Sequence, residues 1–252
     1  MRPLILLSND DGYQSRGLAA LIEAVRPLGD LFVCAPDGPR SGASCSITTE
    51  APVSYRHIHS EEGLKIYVCS GTPCMCVKLA LDELLMRQPD LIVAGINHGS
   101  NASINMHYSG TTAVTTEAAL HGIPSVAYSL DNHDPSGRVE HLVPICAHIA
   151  QLTLENGLPY GSYLNVNFPD VEEIKGIRVC RMAYSRWVEE FEPCPRSRGG
   201  HHFWLTGEQI DDEPNNDTTD LWAMRHDYAA ITPIMVDPTD HKLIQTMQDW
   251  DL

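Results

Sequence analysis

The repeated alternation of short apolar runs with amphipathic stretches through the first 170 residues most constrains what this chain can fold into. The runs at 4–7, 31–35, 64–68, 91–94, 125–128 and 163–167 each end in polar or glycine-containing segments, as buried strands do. Between the first two, Leu18, Leu21, Ile22 and Val25 recur at i, i+3, i+4 and i+7 behind Ser15 as N-cap, with Pro27 and Gly29 at the stop. Thr72 as N-cap with Pro73 at the first helical position opens a second helix carrying Val77, Leu81, Leu84 and Leu85. Two more helices are expected over 111–121, stopped at Gly122-Ile123-Pro124, and over 142–152, ended by Gly157. Strands that alternate with helices in this way form a mostly parallel sheet covered by helices on both faces, an α/β fold.

Beyond residue 170 the pattern changes. Residues 177–184, 203–206 and 228–234 read as strands without long helices between them, so residues 171–252 are expected to form a C-terminal antiparallel β appendage with a terminal helix on a core of residues 1–170. Residues 193–202, with Arg196, Arg198, Gly199 and Gly200, read as a loop or arm.

The chain has 252 residues with 33 Asp and Glu against 17 Lys and Arg, a formal charge of −16. That excess of acid argues against nucleic-acid duplexes, whose binding needs cations to displace condensed counterions, and against docking on an anionic membrane. No apolar run approaches the roughly 18 residues of a membrane span, and 4–7 is too short for a signal sequence, so a cytoplasmic protein is expected. The eight cysteines contain no C-x-x-C pair and several sit in apolar runs, which predicts reduced, buried thiols. Cys74 and Cys76, two apart on a helix, point to different faces and make a poor zinc pair. A small anionic substrate remains compatible with this charge if something reverses the field locally.

In open parallel sheets ligands bind beyond the carboxyl ends of the strands. Three loops there are unusually polar: Ser8-Asn9-Asp10-Asp11-Gly12, Arg40-Ser41-Gly42-Ala43-Ser44, and Asn97-His98-Gly99-Ser100-Asn101. Asp10 and Asp11 are the sharpest feature, because adjacent carboxylates at a strand end are stable together when a cation sits between them. Oxygen-only ligands favour a hard ion such as Mg²⁺, Mn²⁺ or Ca²⁺. Ser41 and Asn97 can complete the shell without adding charge, leaving the ion electropositive toward phosphate. Ser109-Gly110-Thr111 at a helix start, preceded by Asn101, offers backbone N–H groups and the positive end of a helix dipole to an anion, although Ser109 could equally be an ordinary N-cap. His107, two residues before Ser109, is the candidate for proton transfer. Together these features suggest metal-assisted phosphate chemistry.

The ordered motifs Ser8-Asn9-Asp10-Asp11-Gly12, Ala35-Pro36-Asp37 with Arg40-Ser41-Gly42-Ala43-Ser44, Ser70-Gly71-Thr72-Pro73, Gly95-Ile96-Asn97-x-Gly99-Ser100-Asn101 and Tyr108-Ser109-Gly110-Thr111 resemble those of the stationary-phase survival protein SurE family. The resemblance continues through 164–169, Thr219-Asp220 and Ile231-Thr232-Pro233, with departures at Pro39, Cys45 and Asp227. It implies a Rossmann-like core, a C-terminal hairpin exchanged between subunits of a homodimer or homotetramer, and a metal-dependent nucleotidase. The substrate would be a nucleoside monophosphate, a 5′ ester with 3′ esters and polyphosphate as further possibilities. It also implies one divalent cation per subunit, Mg²⁺ or Mn²⁺, on Asp10, Asp11, Ser41 and Asn97, and phosphate contacts from Asn9, Asn101, Ser109, Gly110 and Thr111. Asp10 and Asp11 would be catalytic, with either an activated water or the Asp10 carboxylate as nucleophile.

Two other classes place acids after a first strand. A phosphate-accepting receiver domain needs an Asp closing its third strand and a late Lys, but Asn97 follows the strand here and only Lys65, Lys78, Lys175 and Lys242 occur. A haloacid-dehalogenase-type phosphatase needs two Asp separated by one residue, which the adjacent pair does not supply.

Overall fold

The computed structural model describes residues 2–194 and 200–250. Arg196, Arg198 and Gly199 of the expected arm lie outside the described residues. Along the chain come β1 (Leu4–Ser8), α1 (Arg16–Val25), β2 (Asp30–Pro36), β3 (Tyr55–Glu61), β4 (Leu64–Cys69), α2 (Pro73–Leu79), β5 (Leu91–His98), α3 (Gly110–Leu120), β6 (Ser125–Leu130), α4 (Val143–Asn156) and β7 (Ser162–Phe168). Then follow β8 (Gly176–Val179), β9 (Ser185–Val188), β10 (Phe191–Pro193), β11 (Phe203–Leu205), β12 (Glu208–Asp211), α5 (Asp220–Arg225), β13 (Tyr228–Met235) and α6 (His241–Met247).

Nine strands form one sheet in the order β3-β4-β2-β1-β5-β6-β7-β13-β8. The six from β4 to β7 run parallel, while β3 and β13 enter antiparallel to β4 and β7. Alternate residues of β1 feed opposite faces: Ile5 and Leu7 join the core beneath α1 and α4, and Leu6 joins the core beneath α2 and α3. The α/β architecture with helices on both faces is therefore the one the apolar alternation implies. The capping signals hold at atomic level, with Ser15 accepting from the Leu18 N–H and Thr72 from the Met75 N–H.

Three elements differ from the sequence reading. β3 was not expected, because all seven of its residues are exposed and an edge strand wet on both faces shows no apolar alternation. β5 does not end at Gly95: that residue sits at φ +116°, a Cβ there would meet the Tyr128 carbonyl oxygen at 2.3 Å, and pairing with β6 resumes at Asn97 opposite Ser129. The glycine marks a bulge that carries Asn97 to the strand end. Finally, the sheet crosses residue 170, since β13 inserts between β7 and β8. What projects from the sheet is an antiparallel arm in which β9 pairs with β12 and β10 with β11. Asp227, a departure from the resembled family, adopts φ 70° and pairs with the Lys175 ammonium at 2.8 Å.

The six most deeply placed thiols, Cys34, Cys69, Cys74, Cys76, Cys146 and Cys180, are buried and unbridged. Among the described residues no helix is long and apolar enough to cross a membrane.

Asp220 locks the arm to the sheet. Fully buried, its carboxylate accepts from the backbone N–H groups of Ser103 at 2.8 Å, Ala183 at 2.9 Å and Leu221 at 2.9 Å. Burial pushes its carboxyl up, and these amides pull it back down. Asp220→Ala strands the buried Ser103 and Ala183 donors and the half-buried Leu221 donor, and is expected to cost about 3 kcal/mol or more, a fall in Tm of about 6–12 °C by thermal denaturation. Asp220→Asn keeps one acceptor oxygen, enough for the Ala183 and Leu221 N–H groups that share Oδ1, and loses only the Ser103 bond, so it should lose less than Asp220→Ala, and equal losses would contradict this role.

Candidate functional site

The sheet order reverses at β1, since the chain first builds outward through β2 and β4 and then returns to place β5 on the other side. Crevices at such switch points receive ligands in open α/β sheets. The residues that close β1 and β5 here are Asp10, Asp11 and Asn97, the polar positions singled out in the sequence.

Asp10 is 4% exposed, and the Thr111 hydroxyl donates to its Oδ1. Gly110 is required beside it: a Cβ at that position would stand 2.7 Å from the Asp10 Cβ and 3.0 Å from Oδ2. Burial pushes the Asp10 carboxyl from 3.8 up to about 6; the Thr111 hydroxyl opposes the rise and the Asp11 charge adds to it. Burial also raises Asp11, opposed by the His98 backbone N–H, which lies 3.4 Å from Asp11 Oδ2. Two carboxylates held this close in a partly dry site are electrostatically unfavourable as a bare pair.

Neutral oxygen donors surround them. The Arg40 N–H donates to the Asp10 carbonyl at 2.7 Å and so stitches the loop carrying Ser41 against the first loop. Asn97 donates its Nδ2 to the Gly99 carbonyl at 2.8 Å, which leaves Oδ1 as the acceptor end of its amide. Asp10, Ser41 and Asn97 line one cavity of about 1100 Å³. Among the described residues, no three His, Cys, Asp or Glu side chains gather as a metal site by themselves. A cation at this place would draw on two carboxylates plus hydroxyl and amide oxygens, an all-oxygen set that fits a hard ion such as Mg²⁺ or Mn²⁺.

The expected phosphate residues divide into two groups. Asn101 and Ser109 line the same cavity, with Ser109 accepting from the Thr112 N–H as N-cap of α3 while its own proton stays available. Gly110 and Thr111 contribute the first N–H groups of that helix, but the Thr111 hydroxyl is spent on Asp10. Asn101 is oriented from below, its N–H held by Asn167 Oδ1 and its Nδ2 by Ser129 Oγ, at 2.8 and 2.7 Å. Asn9 stands apart: it is fully buried, and its Nδ2 is committed to the Gly12 carbonyl and Ser15 Oγ at 3.0 and 2.7 Å. It holds the first loop in shape, and among the described residues its Oδ1 has no partner.

His107 is not brought to the cavity. The 3-10 turn over Ser103–Tyr108 leaves it exposed, and what it contributes is its carbonyl, which accepts from Ser44 Oγ at 2.6 Å. Sequence reasoning passed over its neighbour along the site, His98, whose side chain is 4% exposed with Nδ1 3.9 Å from Asp11 Oδ2. The signal for it was only its place directly after Asn97. The far wall, formed by Asn105, Trp187, Gln209 and Arg225, was also missed, because it is assembled from the arm, α5 and the turn before α3, which are distant in sequence.

Three comparisons with known proteins agree. The family model described as Survival protein SurE matches residues 5–189. A protein named 5′-nucleotidase SurE from Bacteroides fragilis is 47% identical over 251 residues, covering 100% of this chain and 98% of that protein. One of the same name from Bacteroides thetaiotaomicron is 48% identical over 249 residues, covering 99% and 96%. The crystal structure of the SurE protein from Aquifex aeolicus superposes with a TM-score of 0.83 at 34% identity, covering 98% of each chain.

Because burial raises the folded-state Asp10 carboxyl from 3.8 to about 6, the metal-free folded protein holds, between those two pH values, a proton that the unfolded chain has released. Its contribution to stability therefore falls as pH rises across that window, and cation binding, which expels the proton, strengthens across the same window. The rise in Tm produced by saturating Mn²⁺ over EDTA should grow from about pH 5 to pH 7 and vanish in Asp10→Asn. An increment independent of pH would contradict the burial of this carboxylate at the cation site.

Proposed function

The chain belongs to the SurE family of survival proteins, and on that premise we propose that it is a divalent-cation-dependent 5′-nucleotidase releasing phosphate from nucleoside 5′-monophosphates. The observation that carries this reading is the sharing of one cavity by an all-oxygen cation set and the N-terminus of α3, through Asp10, Ser41, Asn97, Asn101 and Ser109. Nothing at this end of the cavity depends on a base, so 3′-nucleotides and polyphosphate are included as secondary substrates.

In this reading Asp10, Asp11, Ser41 and Asn97 hold Mg²⁺ or Mn²⁺. The ion, when bound, supplies Lewis-acid polarisation of a phosphoryl oxygen and neutralises its charge. The chain's own groups do the rest. The Gly110 and Thr111 N–H groups, the Ser109 hydroxyl and the Asn101 amide grip the phosphoryl oxygens, and they are pre-oriented by helix geometry and by the Asn167 and Ser129 contacts. Thr111 fixes one carboxylate oxygen of Asp10, and Gly110 admits the phosphate-binding helix close against it. Oligomerisation is part of the proposal: Phe191, Phe203, Trp204 and Leu205 on the arm are 54–72% exposed, an apolar surface that a second copy would cover.

Phosphate release from AMP and GMP should require Mg²⁺ or Mn²⁺, stop in excess EDTA and return when the ion is restored. Asp10→Asn should lower kcat/KM by about 10³-fold or more while remaining folded by circular dichroism. Full activity in EDTA would overturn the reading.

A further inference from the structure

The cavity is larger than a phosphate site needs. At about 1100 Å³ it slightly exceeds the about 300–1,000 Å³ typical of small-molecule pockets, and its far wall is built differently from the phosphate end. There, Trp187 of β9 stands directly opposite Gln209 of β12 in the arm, and Asn105, from the turn before α3, bridges the two. The Trp187 Nε1–H donates to Asn105 Oδ1 at 2.8 Å, Asn105 Nδ2 donates to Gln209 Oε1 at 3.2 Å, and Gln209 Nε2 donates to Ser185 Oγ at 3.0 Å.

This chain of contacts has a fixed direction. An indole N–H can only donate, so Asn105 must turn its oxygen to Trp187 and its amide nitrogen to Gln209, and Gln209 must follow suit. With its one polar atom committed, Trp187 has only π surface to offer the cavity. Each amide keeps one N–H and an oxygen lone pair, the paired donor and acceptor that complement a base edge. The charge on this wall points the same way. Arg225 is engaged by Asp211, and Glu190 and Glu208 add negative charge, so the wall suits a neutral ring and turns the phosphate toward Asp10.

We propose that Trp187, Asn105 and Gln209 form the nucleobase subsite of this cavity, with Trp187 as the stacking platform and the amide pair reading the base edge. The larger ring system of a purine covers more of the indole than a pyrimidine does, so purine nucleotides are preferred. The subsite rests on the nucleotidase reading for its substrate, and on the hydrogen-bonded wall for its residues.

The test compares AMP with ribose 5-phosphate, which carries the same sugar and phosphate and no base, and with CMP. In Trp187→Ala the ratio of kcat/KM for AMP to that for ribose 5-phosphate should fall about ten-fold, mostly through KM, the size expected for loss of one base–aromatic stack. Trp187→Phe should restore most of it, and the wild-type protein should favour AMP over CMP. Gln209→Ala, read by the same ratio, serves if Trp187→Ala does not fold. An unchanged ratio in the variants overturns the subsite, and equal use of AMP and CMP overturns its purine preference. Should the wild-type protein release phosphate from neither ester, the nucleotidase reading fails separately, and calorimetric titration with adenosine decides the subsite. Binding lost in Trp187→Ala supports it, and binding that is equal in both proteins, or absent from the wild type, refutes it.

Discussion

Everything at the working end of this molecule is arranged around two carboxylates that should not be comfortable where they are. Asp10 is buried at the tip of the central strand β1, beside Asp11, in a protein of charge −16. Burial, opposed by the Thr111 hydroxyl and reinforced by the Asp11 charge, lifts the Asp10 carboxyl to about 6. The fold supplies neutral partners in answer: the Thr111 hydroxyl on one oxygen, the Arg40 N–H on the backbone carbonyl, and Ser41 and Asn97 oxygens in the same cavity. Neutral donors satisfy the carboxylates without cancelling their charge, and that is the condition under which a cation binds tightly and still attracts an anion.

The rest of the structure serves to hold those groups still. The bulge at Gly95 extends β5 until Asn97 reaches the strand end, and Gly110 lets α3 approach Asp10 more closely than any side chain would permit. Beneath them a layer of buried amides and hydroxyls, Asn101, Ser129, Asn165 and Asn167, continues the polar network into the sheet. Asp220 ties that layer to the arm through the Ser103 and Ala183 backbone, so the wall carrying Trp187 and the loops carrying the carboxylates belong to one braced unit. An acidic surface elsewhere does not oppose substrate capture if the cation end is locally positive, and it keeps the far wall unattractive to phosphate.

The sequence was most informative where a local rule had a single physical cause. The strands of the parallel core announced themselves because both faces are covered, so their apolar runs are continuous, and the caps at Ser15, Thr72 and Ser109 sit where helix starts need acceptors. Asp10, Asp11, Ser41 and Asn97 were assembled from loop position and ligand chemistry, and the structure brings Asp10, Ser41 and Asn97 to one cavity, with Asp11 adjoining. Illegible features were those decided by long-range placement. β3 has no buried face, β13 returns to the sheet from beyond the arm, and His107 is left exposed on the 3-10 turn while His98 lies against Asp11. Asn9, a phosphate contact by family resemblance, has its amide nitrogen engaged in shaping the first loop, a commitment decided by the fold around it. The base wall left no trace because its members come from three distant segments.

The proposed chemistry turns on one hard cation between Asp10 and Asp11 with Ser41 and Asn97 as neutral ligands. The most direct measurement is anomalous scattering from crystals grown with Mn²⁺. The expected result is a single strong peak per subunit within coordination distance of oxygens from all four residues, about 2.0–2.3 Å away. A peak held instead by the His98 imidazole, or no peak near Asp10 at saturating Mn²⁺, would contradict that arrangement.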